Sequence, residues 1–334
     1  MAKRLWIPAA LILILAVGAL FRFTGINWDQ DQHQHPDERF VTMVAEEIRP
    51  VASFADYLNT ETSSLNPLGY GFYTYGMWPL FLTRYVAEWV NKTQYDQIVL
   101  VGRVLSGLFD LASVLLLYLL GARLYGRRVG LLAAGLYTAA VLPIQLSHFF
   151  AVDSFTTLFT IVSLYAAVLV MERGRWWAFV LFGVSAGLAI AAKVSMAPLA
   201  GLVVVSGLVY LLQARSNRAE FKSRLLEVLG GWLLAAFCTV WSFRILQPYA
   251  FLGPGLFGFR LNPRWLQIVR EVSDQVAGRS DFPPNHHWAG RPFGYGWTNM
   301  VLWGMGLPLG LAATAASRLA VSRIRSCSPW MAAW

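Results

Sequence analysis

The sequence predicts an all-α polytopic membrane protein: a bundle of about eight transmembrane helices with an external first loop that bears amphipathic helices. Three observations lead there. Of 334 residues, 57% are hydrophobic and 13% are charged, about half the ~25% charged content of soluble domains. Eight apolar runs approach the roughly 20 residues needed to cross a hydrocarbon core. Lys and Arg gather in alternate connections between those runs, as cytoplasmic loops do. The same composition excludes a disordered chain. A net charge of +9 would suit nucleic acid in a soluble protein; here it is an orientation signal, and no nucleic-acid partner is expected. Cys238 and Cys327 are isolated and make neither a disulfide framework nor a metal motif.

The expected spans are Leu5–Phe23, Ile98–Leu120, Val129–Ser147, Phe155–Met171, Trp176–Ala192, Ala197–Leu212, Leu225–Leu246 and Asn299–Ala316. The first is read as uncleaved, because Phe21-Arg22-Phe23 is a poor small-residue cleavage site. With a cytoplasmic N-terminus, the inner segments carry 14 Lys and Arg, whereas the short outer loops 148–154 and 193–196 carry only Lys193. Leu68–Val90 is also apolar enough to span, and would then invert every later loop. Its eight aromatics, Pro79 and the Arg84/Glu88 pair suit an interfacial or half-inserted helix instead.

Residues 1–334 are expected to form a single transmembrane domain. Residues 24–97 make a first external loop of net charge −6. Within it Val41, Val44, Ala45 and Ile48 recur at the spacing of a short amphipathic helix, closed by Pro50. Residues 247–298 form a second external loop, and 317–334 a cytoplasmic tail. There is no GxGxxG or Walker loop, which argues against a nucleotide-driven machine.

Chemistry has four candidate locations. The first is His33-Gln-His35-Pro-Asp37-Glu38, just outside the first span. Adjacent carboxylates near a bilayer can serve as general base and electrostatic or metal partner. Acids in a helix's first turn also simply complement its dipole. His33 and His35 add unspecific metal-binding potential. The second is His148-Phe-Phe-Ala-Val-Asp153, a tight outer turn in which Asp153 is a candidate both for chemistry and for a helix cap. The third is Arg103, with Ser106 and Asp110 on one helix face. Arg103 is placed to grip a lipid phosphate, or to pair with Asp110. The fourth is Lys193, a lone outward cation in need of a partner, with Arg291 and Arg244 as weaker analogues. Outer carboxylates beside cations at membrane depth suit an enzyme acting on a lipid phosphate, the cations holding the phosphate and a carboxylate handling the proton.

At these residues the sequence resembles the GT-C superfamily of membrane glycosyltransferases. More narrowly it is similar to family 39, the protein-mannosyltransferase and aminoarabinose-transferase relatives in their bacterial form. The resemblance rests on His35-Pro-Asp37-Glu38-Arg39-Phe40, Asn66-Pro67, Tyr75-Gly76-Met-Trp-Pro79, Gly102-Arg103-Val-Leu-Ser106, Tyr125-Gly-Arg127-Arg128, Gln145-Leu-Ser-His148 through Asp153, Gly187 through Lys193, and Trp303-Gly-Met-Gly-Leu-Pro308. It implies Asp37 as the base, Glu38 as its assistant, and Asp153 as a second catalytic acid. Arg103, Lys193 and Arg291 match positions near the donor phosphate. It further implies a divalent metal (Mg or Mn) on Asp37 and Glu38, a polyprenyl-phosphate-linked sugar as donor, and a lipid, glycan or protein acceptor. The transfer would invert the anomeric centre, at the external face of a bacterial inner membrane. Family members usually continue through further spans, so the chain is expected to be C-terminally truncated relative to them. Competing readings are a transporter or flippase for a lipid-linked or anionic solute, and an inactive truncated remnant.

Overall fold

The computed structural model describes residues 2–281 and 283–316. Among them the fold is helical apart from one two-residue antiparallel pair. Helix α1 (Ala2–Phe23) is followed by short helices α2 (Pro36–Glu47), α3 (Phe54–Leu58) and α4 (Met77–Trp89). The long α5 (Tyr95–Tyr125) leads to α6 (Arg127–Thr138) and α7 (Val141–Ser147), then α8 (Asp153–Arg173) and α9 (Trp176–Ala192). A 3-10 turn, Val194–Ala200, opens α10 (Gly201–Leu212), and α11 (Arg218–Leu246) follows. Beyond lie β1 (Phe251–Leu252), β2 (Arg260–Leu261), α12 (Pro263–Val276), α13 (Pro283–Ala289) and α14 (Phe293–Asn299).

Among the described residues, five helical segments are long and apolar enough to cross a membrane: Leu5–Phe23, Tyr95–Tyr125, Asp153–Arg173, Val194–Leu212 and Arg218–Leu246. The protein is therefore a multi-pass membrane protein; the other three of the eight expected runs are bent, short or interrupted. The expected third span is α6 and α7 together, bent by 60° at Ala139–Ala140. Helix α9 has 17 residues, about 26 Å at 1.5 Å per residue. It links the two ends of the bundle nonetheless, packing along both α8 and α11. The expected last span, Asn299–Ala316, is interrupted. After α14 comes a π-turn, Met300–Gly304, then Gly306 at φ +77°, then the apolar helix Leu307–Ala316. Gly306 takes the left-handed backbone that other residues resist, and Pro308 has no N–H to continue a helix through the break.

Leu68–Val90 does not cross. Its helical part, α4, has 13 residues, under the length a bilayer needs. It lies instead in a core that gathers one end of the bundle. That core joins Val41, Val44 and Ala45 of α2, Trp78 and Phe81 of α4, the first turns of α5, Phe150, Ala191 and Ala192, Tyr249, and Trp265 of α12. The amphipathic reading of α2 thus holds: its apolar stripe is buried and Ile48 caps its end. At the opposite end Arg123 pairs with Glu172, and Arg224 with Glu220. The long acidic loop and the basic turns therefore occupy opposite ends. Residues 317–334, the expected cytoplasmic tail, lie outside the described residues.

Candidate functional site

The site begins with how α2 starts. Pro36 occupies the first turn, where its missing N–H is no loss. His35 is the N-cap residue, its Nδ1 accepting from the Glu38 N–H at 3.2 Å. Asp37 and Glu38 fall in the first turn, where negative charge meets the positive helix end. Neighbours on a helix are about 100° apart, so the two carboxylates face different surroundings. Asp37 is exposed, and Glu38 is fully buried.

Glu38 is held by Arg103. The guanidinium Nε and Nη2 donate to Glu38 Oε1 and Oε2, each at 2.8 Å. Nη1 and Nη2 donate to Asp29 Oδ1 and Oδ2 at 3.0 and 2.9 Å, and Nη1 also to the Ile26 carbonyl at 3.0 Å. All five N–H donors of Arg103 are thereby used. Trp28 lies against the guanidinium at 5.5 Å. Glu38 Oε1 accepts a further bond from the Phe150 N–H at 2.7 Å. The Phe150 ring can sit there because Gly102 has no side chain: a Cβ at 102 would lie 2.2 Å from Phe150 Cγ. The Arg103 hydrogen bonds, helped by its charge, hold the Asp29 carboxyl below its usual range against the opposing effect of burial.

Two expectations change here. Arg103 was expected to grip a lipid phosphate or pair with Asp110; its donors are spent on Glu38, Asp29 and Ile26, and it is buried. Glu38 was expected to assist the base or share a metal with Asp37; both its oxygens are committed to Arg103 and Phe150. The Asp37–Glu38 pair therefore does not fit a shared divalent ion, and among the described residues no three His, Cys, Asp or Glu side chains form a metal-binding group. Asp110 has different partners as well: Arg22 Nε at 2.6 Å and the Tyr137 hydroxyl at 2.6 Å. Arg22 also donates to the Thr138 carbonyl, freed where α6 breaks.

Asp37 and Asp153 do come together. Both line one cavity of about 220 Å³, with His35, Val41, Tyr75, Leu146 and the Phe149–Val152 turn. Asp153 opens α8, but Val152 is the capping residue, so Asp153 contributes charge to the helix start without capping it. Lys193, just past α9, donates from Nζ to Asp153 Oδ1 at 2.9 Å. The pair is half-exposed, 47% and 34% by side chain. The partner expected for Lys193 is therefore Asp153. His148 secures the same turn, its ring nitrogens lying 2.8 Å from the Ile144 carbonyl and 3.0 Å from that of Thr24.

Tyr75 entered the sequence reading as one aromatic among eight and in the Tyr75-Gly76-Met-Trp-Pro79 motif, without a role of its own. Burial, then the nearby Asp37 and Asp153 charges, push its phenol well above the ordinary range. It stays protonated, with the Asp37 carboxylate nearby. Gly76 fixes its position. A Cβ at Gly76 would meet the Ala192 carbonyl at 2.3 Å, and that close approach brings the Tyr75 turn against the end of α9. Arg291 is elsewhere. It follows α13, donates from Nε to the His287 carbonyl at 3.2 Å and stacks on Tyr295, and it does not line the cavity. His33 pairs with Asp96 at 2.9 Å and stacks on Tyr95, away from Asp37.

The cavity thus offers an exposed carboxylate, a second carboxylate with a lysine beside it, a phenol and an imidazole, at the end of a membrane bundle. Residues 83–243 match the family described as dolichyl-phosphate-mannose-protein mannosyltransferase. A comparison with curated proteins finds no match. The matched stretch runs from α4 to α11 and contains Arg103, Asp153 and Lys193; it begins after Asp37 and Glu38. Over that stretch, and in its helical multi-pass fold, the chain is similar to membrane glycosyltransferases of the GT-C type.

Proposed function

We propose that the protein transfers a sugar from a polyprenyl-phosphate donor to a hydroxyl of a lipid, glycan or protein acceptor, with Asp37 as the general base. The observation carrying this reading is that Asp37 and Asp153, 116 residues apart in sequence, face one cavity with Lys193 at its edge. The acceptor O–H gives its proton to the Asp37 carboxylate. Its oxygen bonds to the anomeric carbon from the face opposite the phosphate. The carbon–oxygen bond to phosphate breaks, the phosphate leaves with the bonding pair, and configuration inverts.

Asp153 stabilises positive charge developing on the sugar. Lys193 has two N–H donors beyond the one given to Asp153, and these suit the leaving phosphate. We place the site on the external face of a bacterial inner membrane; the acidic loop at the site's end and the basic turns at the other support the external placement. The test is Asp37→Asn in membranes or detergent. Loss of a general base removes roughly 10²–10⁴-fold in rate, with expression and thermal stability unchanged, because Asp37 is exposed. Full transfer by the variant refutes the base. Substrate-dependent flux without sugar transfer would instead favour a transporter.

A further inference from the structure

His35 is spent, on first inspection, as a helix cap. The way it caps fixes which ring nitrogen carries the proton. The Glu38 backbone N–H can only donate, so His35 Nδ1, at 3.2 Å, must be an acceptor. In the neutral ring the proton then sits on Nε2. The ring is clamped from one side by Phe149, with centroids 4.3 Å apart, and Phe149 is itself braced by Trp28 at 5.7 Å. His35 is half-buried and lines the same cavity as Asp37, Asp153 and Tyr75. Among the described residues no hydrogen bond is made by its Nε2. Every other polar side chain around the cavity carries negative charge or leans on one: Asp37, Asp153 with Lys193, and Tyr75 toward Asp37. His35 is the lining group there that presents a neutral N–H free of a carboxylate.

We propose that His35 is a substrate-binding residue, locked by its own N-cap bond in the Nε2–H form so that this N–H donates to an oxygen of the sugar-phosphate donor. This rests on the donor class proposed above. A neutral, orientation-fixed donor beside two carboxylates distinguishes an oxygen acceptor from a cation, which the carboxylates alone would favour. Its position at the start of α2, two residues before Asp37, ties donor binding to the placement of the base.

The experiment separates capping from binding. His35→Asn keeps a good N-cap, since an Asn side-chain oxygen accepts from the same N–H, and removes the Nε2 donor. His35→Ala removes both. The probes are dolichyl-phosphate-mannose and dolichyl phosphate, which share the lipid phosphate and differ in the sugar. Expected for His35→Asn is an unfolding temperature within about 2 °C of wild type and binding of the mannose-bearing probe weakened at least about ten-fold, the equivalent of one good hydrogen bond. An equal loss for dolichyl phosphate assigns the acceptor to phosphate; a loss confined to the mannose form assigns it to a sugar hydroxyl. Wild-type binding and transfer by His35→Asn would show a cap and nothing more, and would overturn the inference. Ring ¹⁵N shifts of His35 that place the proton on Nδ1 would overturn it whatever the probes do. A wild-type protein that binds neither probe overturns the donor class itself and, with it, the ligand assigned to His35.

Discussion

Replacing Arg103 with Met tests whether this cation serves architecture or donor binding. The side chain is fully buried and holds two carboxylates, Glu38 at 0% and Asp29 at 5% exposure, through four charge-assisted bonds of 2.8–3.0 Å. Taking away one partner of a buried ion pair costs about 3–5 kcal/mol, because the charge left behind has neither water nor counter-ion. Here two like charges are left together. At roughly 2–4 °C per kcal/mol the unfolding temperature should fall on the order of 10 °C. The assay is thermal unfolding in detergent, followed by loss of the monodisperse species on size exclusion. A companion variant, Arg103→Met with Asp29→Asn and Glu38→Gln, removes all three charges and keeps an acceptor for the Phe150 N–H. It should recover most of the loss, since neutral replacements of buried ionic sets are often tolerated. The reasoning fails if Arg103→Met unfolds at the wild-type temperature yet no longer binds a polyprenyl phosphate. Arg103 would then be a ligand for the donor after all.

Lys193→Met should leave stability within about 1 kcal/mol of wild type, because its pair with Asp153 is half-exposed. It should raise the KM for the donor several-fold in a transfer assay. Gly102→Ala forces a methyl group into the Phe150 ring, so it should cost about 1–3 kcal/mol by thermal unfolding. Activity should fall with it, as the Phe150 N–H leaves Glu38. Stability should also decline in acid through Asp29. Its folded pKa lies below the ordinary 3.8, so its contribution is complete above that value and is lost as pH falls through the folded pKa. Unfolding temperatures between pH 5 and pH 2 check this, and the decline should be shallower in Asp29→Asn.

Local pattern carried the sequence reading a long way and then stopped for a definite reason. Pro36 followed by two acids marked the start of α2, and the Val41–Ile48 spacing marked its buried stripe. Alternating basic turns separated the two ends of the bundle. What local spacing could not supply was partnership. Arg103 and Asp110 share a helix face at i and i+7, yet one pairs 65 and 74 residues back, with Glu38 and Asp29, and the other 88 residues back, with Arg22. Asp153 and Lys193 were each singled out without sign that they meet across 40 residues. The division of labour between Asp37 and Glu38 was equally hidden. A step of one residue turns a side chain by about 100°, and only the position of α5 decides which of the two is buried. Hydropathy also does not register the bend at Ala139 or the left-handed turn at Gly306, which divide two of the apolar runs into shorter helices.

The bond from the Phe150 N–H to Glu38 also sets a timetable for biogenesis. It joins residues 112 apart in the chain. At 5–20 residues per second of synthesis, α2 emerges on the order of ten seconds before the turn that completes its anchorage exists. Once Arg103 has been made, 65 residues after Glu38, Glu38 and Asp29 can meet it but still lack the peptide that seals them in. The first loop must therefore remain provisional while α6, α7 and the turn after them are threaded into the bilayer. Chains stalled or cut between Arg103 and Phe150 should show α2 as open to protease, and longer ones should not.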